Sequence, residues 1–187
     1  MIEKKRCKWC NLNNHKYVDY HDNEWGVPNF CDQYLYQMLI LESFQAGLSW
    51  ECVLNKREEF IKAYDNFDID KVINYDDNKI LELENNKNII RNKLKIRSSI
   101  KNSIIFKSIV EEYGSFYNYL RLFWDGNIIY EYNKTKSLLS DNISKDLYLR
   151  GMRFVGSTII YAYLQAIGAI NSHMKECFLF EVKRWKN

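Results

Sequence analysis

Two groups of soft metal-binding side chains stand far apart in the sequence. Cys7, Cys10 and His21 lie near its beginning, and His173 and Cys177 near its end. Thiolates and imidazoles select Zn2+, and a four-coordinate set with no open position holds a metal for structure, not for reaction. The i, i+4 spacing of His173 and Cys177 puts both on one face of a helix, expected over about 171–178. Residue types alone leave alternatives open. Cys7-Lys8-Trp9-Cys10 offers a CxxC pair, so either Cys10 or His21 completes a set with Cys7, His173 and Cys177. Cys177 can instead pack as a small apolar residue, with His173 at the surface. Five cysteines are an odd number and too few for a disulfide framework in 187 residues, which favours free thiols or metal ligands.

A carboxylate out of place is the second feature. Leu35, Met38 and Leu39 make an apolar stripe, Ala46 continues it, and Glu42 falls on the same face. Burying an unpaired charge costs several kcal/mol, so such a group is paired with a Lys or Arg, protonated, or functional. Trp50 follows at the start of the next helix, and Tyr17 and Tyr20 precede His21. Aromatic faces beside a buried carboxylate suit a flat, cationic ligand. The third feature is the segment 149–158, where Gly151 and Gly156 permit a tight hairpin. The free N–H groups of Ser157 and Thr158, opening the next helix, can bind a phosphate oxygen, with Arg153 close by. From Asn85 to Val110 there are seven basic residues and no acid. That run is either a phosphate surface or a solvated helix face with Ile89, Ile90, Leu94, Ile96, Ile100 and Ile104 turned inward.

The elements that must position these groups are helical. One proline and seven glycines interrupt the chain, and apolar spacing of three and four prevails after residue 31. The spacing predicts an all-α fold with helices at about 32–46, 49–64, 68–74, 76–84, 88–112, 115–123, 141–150, 157–168 and 171–178. Asp32, Ser49, Asp68, Asp141 and Ser157 are the expected N-caps, and Gly47, Gly114 and Gly151 the expected stops. The first thirty residues read as irregular, and 124–140 as the longest loop. Residues 1–187 form one unit, with a helix-hairpin-helix candidate at about 141–168. A chain 47% apolar and 27% charged is globular, and its net charge of +3 is modest. No apolar stretch of the length of a membrane span or signal peptide follows the N-terminus, so a cytoplasmic protein is expected; a monomer that binds DNA is expected as well. Nucleophile-elbow, Walker and dinucleotide patterns are missing, which excludes serine-hydrolase, P-loop and Rossmann chemistry.

The strings at 20–28 (YHDNEWGVP), 41–50 (LESFQAGLSW), 89–96 (IIRNKLKI) and 150–158 (RGMRFVGST), with the closing His173 and Cys177, resemble the family of 3-methyladenine DNA glycosylase I from about Cys7 to Cys177. The resemblance implies a helix-hairpin-helix glycosylase with a structural Zn2+ held by Cys7, His21, His173 and Cys177, which decides against Cys10. It implies a base pocket with Glu42 as the catalytic carboxylate and Tyr20 and Trp50 as substrate-binding aromatics, with Tyr17 and Trp9 nearby. Gly151, Arg153, Gly156, Ser157 and Thr158 would face double-stranded alkylated DNA. The implied activity is hydrolysis of the N-glycosidic bond of 3-methyladenine. Many relatives in the wider superfamily use an aspartate soon after the hairpin, and this chain has no Asp beyond Asp146. The competing reading is a zinc-stapled protein that recognises damage without cleaving, which would have a blocked or missing pocket.

Overall fold

Apolar residues on nearly every face of one helix place it at the centre of the molecule. In the computed structural model, which describes residues 4–182, helix α2 (Asp32–Gln45) buries Leu35, Tyr36 and every residue from Met38 to Phe44. The stripe read from the sequence was too narrow: Glu42 is buried because α2 is enclosed all round. Helices α3 (Trp50–Asn55), α7 (Lys93–Tyr113), α8 (Phe116–Leu120) and α10 (Ser157–Ala166) pack against it. The remaining helices are α1 (His15–Asn23), α4 (Arg57–Ala63), α5 (Ile69–Val72), α6 (Asp77–Asn85) and α9 (Leu138–Leu149). The fold is mostly helical, not strictly all-α, because β1 (Ile129–Tyr130) and β2 (Ile170–Asn171) pair in parallel, Ile129 with Ile170 and Tyr130 with Asn171. Among the described residues no helix is long and apolar enough to cross a membrane.

Several sequence expectations are corrected. The irregular first thirty residues contain α1, which is largely polar but capped by Asn14, whose side chain accepts from the N–H groups of Lys16 and Tyr17. Its buried face is Tyr17, Tyr20 and His21. The helix expected over 49–64 breaks at Lys56 into α3 and α4. No helix forms over 171–178; β2 and turns occupy that stretch. Helix α9 begins three residues before Asp141, because Ser137 and Ser140 make a reciprocal capping box. Gly156, not Ser157, is the N-cap of α10, and Cys31, not Asp32, precedes α2. Asp32 instead accepts the N–H of Phe116 at 2.9 Å.

The basic run is rearranged by α7. Leu94 and Ile104, expected inside, are 66% and 51% exposed, while Lys95, Ser99, Asn102 and Ser103 face inward. Hydrogen bonding decides this register. Ser103 Oγ lies 2.6 Å from Tyr36 Oη, and Ser99 Oγ lies 2.9 Å from Tyr64 Oη. Outside, Lys93 and Arg97 pair with Glu84, and Lys107 pairs with Asp70, so acids from α6 and α5 neutralise part of the run.

The turn Trp25–Asn29 is laid directly against the end of α10. Gly26 N–H donates to Gln165 O at 3.0 Å and Asn29 N–H to Ile167 O at 3.1 Å. Gly168 has φ +77°, and a Cβ there would stand 2.3 Å from Pro28 N. Gly168→Ala therefore combines backbone strain with a backbone clash. Its expected effect in urea unfolding is a loss of about 2–4 kcal/mol. Gly156→Ala, where a Cβ meets nothing within 4 Å, is expected to change stability by less than about 1 kcal/mol.

Candidate functional site

A cavity of about 310 Å3 opens between α1, α2, α3 and α10. It is at the small end of the range for sites that enclose a single ligand. Helix α1 supplies Tyr17 and Tyr20 from one face, one turn apart. Helix α2 supplies Glu42 and Gln45, also one turn apart, and Ser49 caps α3 so that Trp50 enters at its first position. Tyr20 and Trp50 stand 5.3 Å apart between ring centroids. Trp9 and Trp25 complete the aromatic wall, 4.8 Å from each other, with Trp9 5.2 Å from Tyr17.

The polar atoms of this wall are unmatched. Glu42 is 2% exposed, and its Oε2 has no hydrogen-bond partner; nor do Gln45 Oε1 and Trp50 Nε1. No ion pair reaches Glu42 among the described residues, so the alternative of a structural salt bridge fails. Burial holds the Glu42 carboxyl well above its ordinary 4.5. Glu42 is also the one carboxylate lining the cavity among the described residues. Asp146, the last aspartate of the chain, accepts from Tyr119 Oη at 2.7 Å and pairs with Arg150 Nε at 2.8 Å. It serves the packing of α9.

Behind the aromatic wall the four expected ligands converge. One donor atom from each of Cys7, His21, His173 and Cys177 lies within 4.8 Å of all the others, and all four residues are buried. Cys7 Sγ–His173 Nδ1, Cys177 Sγ–His173 Nδ1 and Cys177 Sγ–His21 Nε2 are each 3.6 Å. A tetrahedron with metal–sulfur bonds of about 2.3 Å and metal–nitrogen bonds of about 2.0–2.1 Å has a sulfur–nitrogen edge of about 3.6 Å, so the donor set fits such an ion. Cys10 stays outside the set, its Sγ directed at Tyr17 O. Helical spacing of His173 and Cys177 was the wrong reason for a right neighbourhood, since a turn brings them together.

The surroundings prepare these ligands. His21 Nδ1 is 2.8 Å from Asp22 Oδ1, which Arg6 grips with two hydrogen bonds of 2.8 and 2.7 Å. Partial burial opposes it, but Arg6 and His21 together hold the Asp22 carboxyl below its ordinary range. With Nδ1–H donating to Asp22, the Nε2 lone pair of His21 faces the cluster. Burial pushes the Cys7 thiol up to about 12, which a cation must reverse. The N–H groups of Met174 and Leu179 donate to Cys7 Sγ and Cys177 Sγ, favouring thiolates. Cluster and cavity share a wall, because Trp9 lies 5.1 Å from the His21 ring and Trp25 4.7 Å from the His173 ring.

The hairpin between α9 and α10 turns through Gly151 at φ +103° and Phe154 at φ +57°. Asn102 of α7 clamps it, accepting from Arg153 N–H at 2.9 Å and donating to Arg153 O at 2.8 Å. No side chain caps α10. Ser157 Oγ is engaged by Ser140 and by Asp141, so its hydroxyl is already committed. The Arg153 side chain is exposed and lies over Tyr148, 4.9 Å from the ring. Sequence reasoning missed Trp25, Gln45, Gln165, Ser172, Met174, Asn133 and Lys134, all of which line the cavity. Gln45 had a signal, being one turn beyond Glu42. Asn133 and Lys134 had none, since only tertiary folding brings that loop over the cavity.

Aromatic walls, a buried carboxylate with no ion-pair partner among the described residues and a neighbouring helical hairpin mark a mostly helical protein with one aromatic-lined cavity. The sequence pattern described as methyladenine glycosylase matches residues 9–180, and the chain belongs to this family. DNA-3-methyladenine glycosylase 1 of Escherichia coli (strain K12) is 36% identical over 180 residues, covering 92% of this chain and 95% of that relative. A crystal structure of 3-methyladenine DNA glycosylase I superposes with a TM-score of 0.88 at 36% identity, covering 93% of this chain and 98% of the other. A structure of 3-methyladenine DNA glycosylase I from Staphylococcus aureus, concerned with 3-methyladenine recognition, gives 0.87 at 29% identity, covering 92% and 95%.

Metal content separates the ligand sets. If the donor set holds a metal, purified His21→Ala and Cys177→Ser are expected to lose it and on the order of several kcal/mol of stability. Cys10→Ala should retain a full equivalent by elemental analysis; retention in His21→Ala with loss in Cys10→Ala would reverse the assignment.

Proposed function

We infer that this chain is a DNA-3-methyladenine glycosylase, a monofunctional hydrolase that breaks the N-glycosidic bond of 3-methyladenine in alkylated DNA. It releases the free base and leaves an abasic site. The observation that carries the residue-level reading is the set of unmatched polar atoms among the aromatic rings: Glu42 Oε2, Gln45 Oε1 and Trp50 Nε1. Buried polar groups normally have partners, and these three, together with the equally unmatched Ser172 Oγ of the same lining, call for a ligand that supplies them. An open, complete pocket also speaks against a non-cleaving damage binder.

Attached to the sugar, 3-methyladenine carries a positive charge. When water adds to the sugar carbon and loses a proton to solvent, the C–N bonding pair leaves with the base and neutralises it, so the leaving group needs little further help. This fits a cavity whose lining holds one carboxylate and no aspartate. Glu42 accepts hydrogen bonds from the base and complements its charge, while Tyr20 and Trp50 cover the ring, with Tyr17 and Trp9 beside them. An approaching cation also lowers the cost of ionising Glu42. Neutral bases gain nothing from that charge, and unstacking them costs more than unstacking a damaged one. The four-ligand cluster is read as a structural Zn2+ site that fastens Cys7 to His173 and Cys177. When bound, the ion supplies folding energy and no open coordination position. The imidazoles of His21 and His173, which would hold it, stand against Trp9 and Trp25. The N–H groups at Gly156, Ser157 and Thr158, the Gly151 turn and Arg153 are read as the phosphate contacts to duplex DNA.

Mass spectrometry of bases released from methylated duplex DNA tests the activity; release of free 3-methyladenine is expected. Glu42→Gln keeps shape and removes charge. Its excision rate should fall about 10–100-fold, the value of hydrogen bonds to a charged group. Because the folded-state pKa of Glu42 is raised, its burial subtracts stability as pH rises above the ordinary 4.5. The Glu42→Gln variant should therefore melt at or above the parent, with a margin that widens as pH increases from 4.5. Full activity with a large loss of stability would return Glu42 to a structural role. At the hairpin, Arg153→Gln should weaken binding to undamaged DNA and reduce the log–log salt slope by about 1.

A further inference from the structure

Lys95 is the one member of the basic run whose side chain turns inward, being 7% exposed. Its Nζ donates to Phe44 O at 2.8 Å and to Ala46 O at 2.5 Å. No carboxylate pairs with it among the described residues, and burial holds its amine below the ordinary lysine range. It does not line the cavity.

Its place is a junction. Phe44 and Ala46 end α2, where the last carbonyls of a helix lack intrahelical partners and carry the negative end of the dipole. The cap at Ala46 has extended ψ, 115°, and Gly47 at φ +76° starts the exposed turn through Leu48 and Ser49 to Trp50. The same ammonium lies 5.7 Å from the ring of Phe154, which sits in the hairpin at φ +57°. One charge therefore touches the helix end that bears Glu42 and Gln45, the turn that leads to Trp50, and the hairpin. An ammonium is costly to bury, and a methionine of similar length would fill the space without that cost.

We propose that Lys95 is a positioning residue, which locks the 44–50 turn against the hairpin so that duplex DNA held by the hairpin delivers its extruded base to a pocket in register. This rests on the pocket and hairpin being the base and phosphate sites. The geometry separates two functions that the pocket residues combine. A free base needs only the pocket walls, whereas a base attached to DNA needs the walls and the hairpin in fixed relation.

The test compares Lys95→Met with the parent in three measurements: thermal midpoint, affinity for free 3-methyladenine, and single-turnover excision from methylated duplex at saturating enzyme. With the variant folded, free-base affinity should stay within about 3-fold while excision falls about 10–50-fold, the scale of a small misplacement of reacting groups. Lys95→Arg, which keeps the charge, should recover part of the excision rate. If Lys95→Met does not fold, Lys95→Gln, which keeps one donor, is read by the same criteria. Unchanged excision in a folded variant would overturn the proposal, and so would an equal fall in free-base affinity and excision. Failure of the parent itself to bind the base or to excise it would instead sink the pocket reading.

Discussion

A carboxylate without a counter-ion, enclosed in the most buried helix of the protein, is the constraint from which the rest of the structure follows. Glu42 could be made harmless by a nearby lysine or arginine, or by exposure, and the fold provides neither. Lys95 comes from the next long helix toward the same end of α2 and bonds backbone carbonyls. Arg57, partly buried beyond Tyr20, is occupied by Glu24 at 2.8 Å. Lys134, which lines the cavity itself, pairs with Glu131 at 2.9 Å, so the cations near the pocket are committed elsewhere. On the function proposed above, an approaching positively charged ring would favour the ionised Glu42 where a neutral ring would not.

Keeping such a cavity open requires walls that do not collapse inward. Packed interiors close voids wherever side chains can move, so the aromatic residues must be held from behind. Three devices do this. Asn14 caps α1 and fixes the face that carries Tyr17 and Tyr20. The Gly168 contact pins the Trp25 turn to α10. The cysteine–histidine cluster backs Trp9 and Trp25 with imidazole rings whose own orientation is set by Asp22 and Arg6. With the proposed ion bound, a cluster placed there would contribute stability and stiffness at once, without a coordination position for chemistry.

The division of labour among acids follows from the same economy. Asp141 and Asp146 on α9 lie near the hairpin, yet one holds Ser157 and the other joins Tyr119 to Arg150. Neither lines the cavity. A leaving group that is already cationic removes the need for a second carboxylate to stabilise a developing sugar cation. The chemistry of the substrate and the composition of the site are therefore mutually consistent, and discrimination falls to shape, stacking and charge instead of catalytic force.

Much of this was legible in residue order. Glu42 stood out because a 3.6-residue period makes a polar intruder visible; Tyr20, Trp50, Cys7, His173 and Cys177 were candidates by type, and the family resemblance chose His21 over Cys10. Strong local signals, such as Ser49, Asp68 and Gly114, placed helix ends correctly because capping chemistry is local. What failed was everything decided by partners distant in sequence. The register of α7 depended on tyrosines from α2 and α4–α5, so an apolar pattern that put Leu94 and Ile104 inside was overruled by buried hydroxyl pairs. His173 and Cys177 met through a turn stabilised by the N-terminal segment, with Phe178 N–H on Lys5 O at 2.8 Å, and not through a helix. Sequence alone supplied the candidate side chains for a flat cation and a metal, by residue type and by the family resemblance that chose His21 over Cys10. Only the tertiary structure decided that Glu42 would have no cation, that Asn133 and Lys134 would close over the cavity, and that Lys95 would turn inward, because each depends on which surfaces meet when the helices pack.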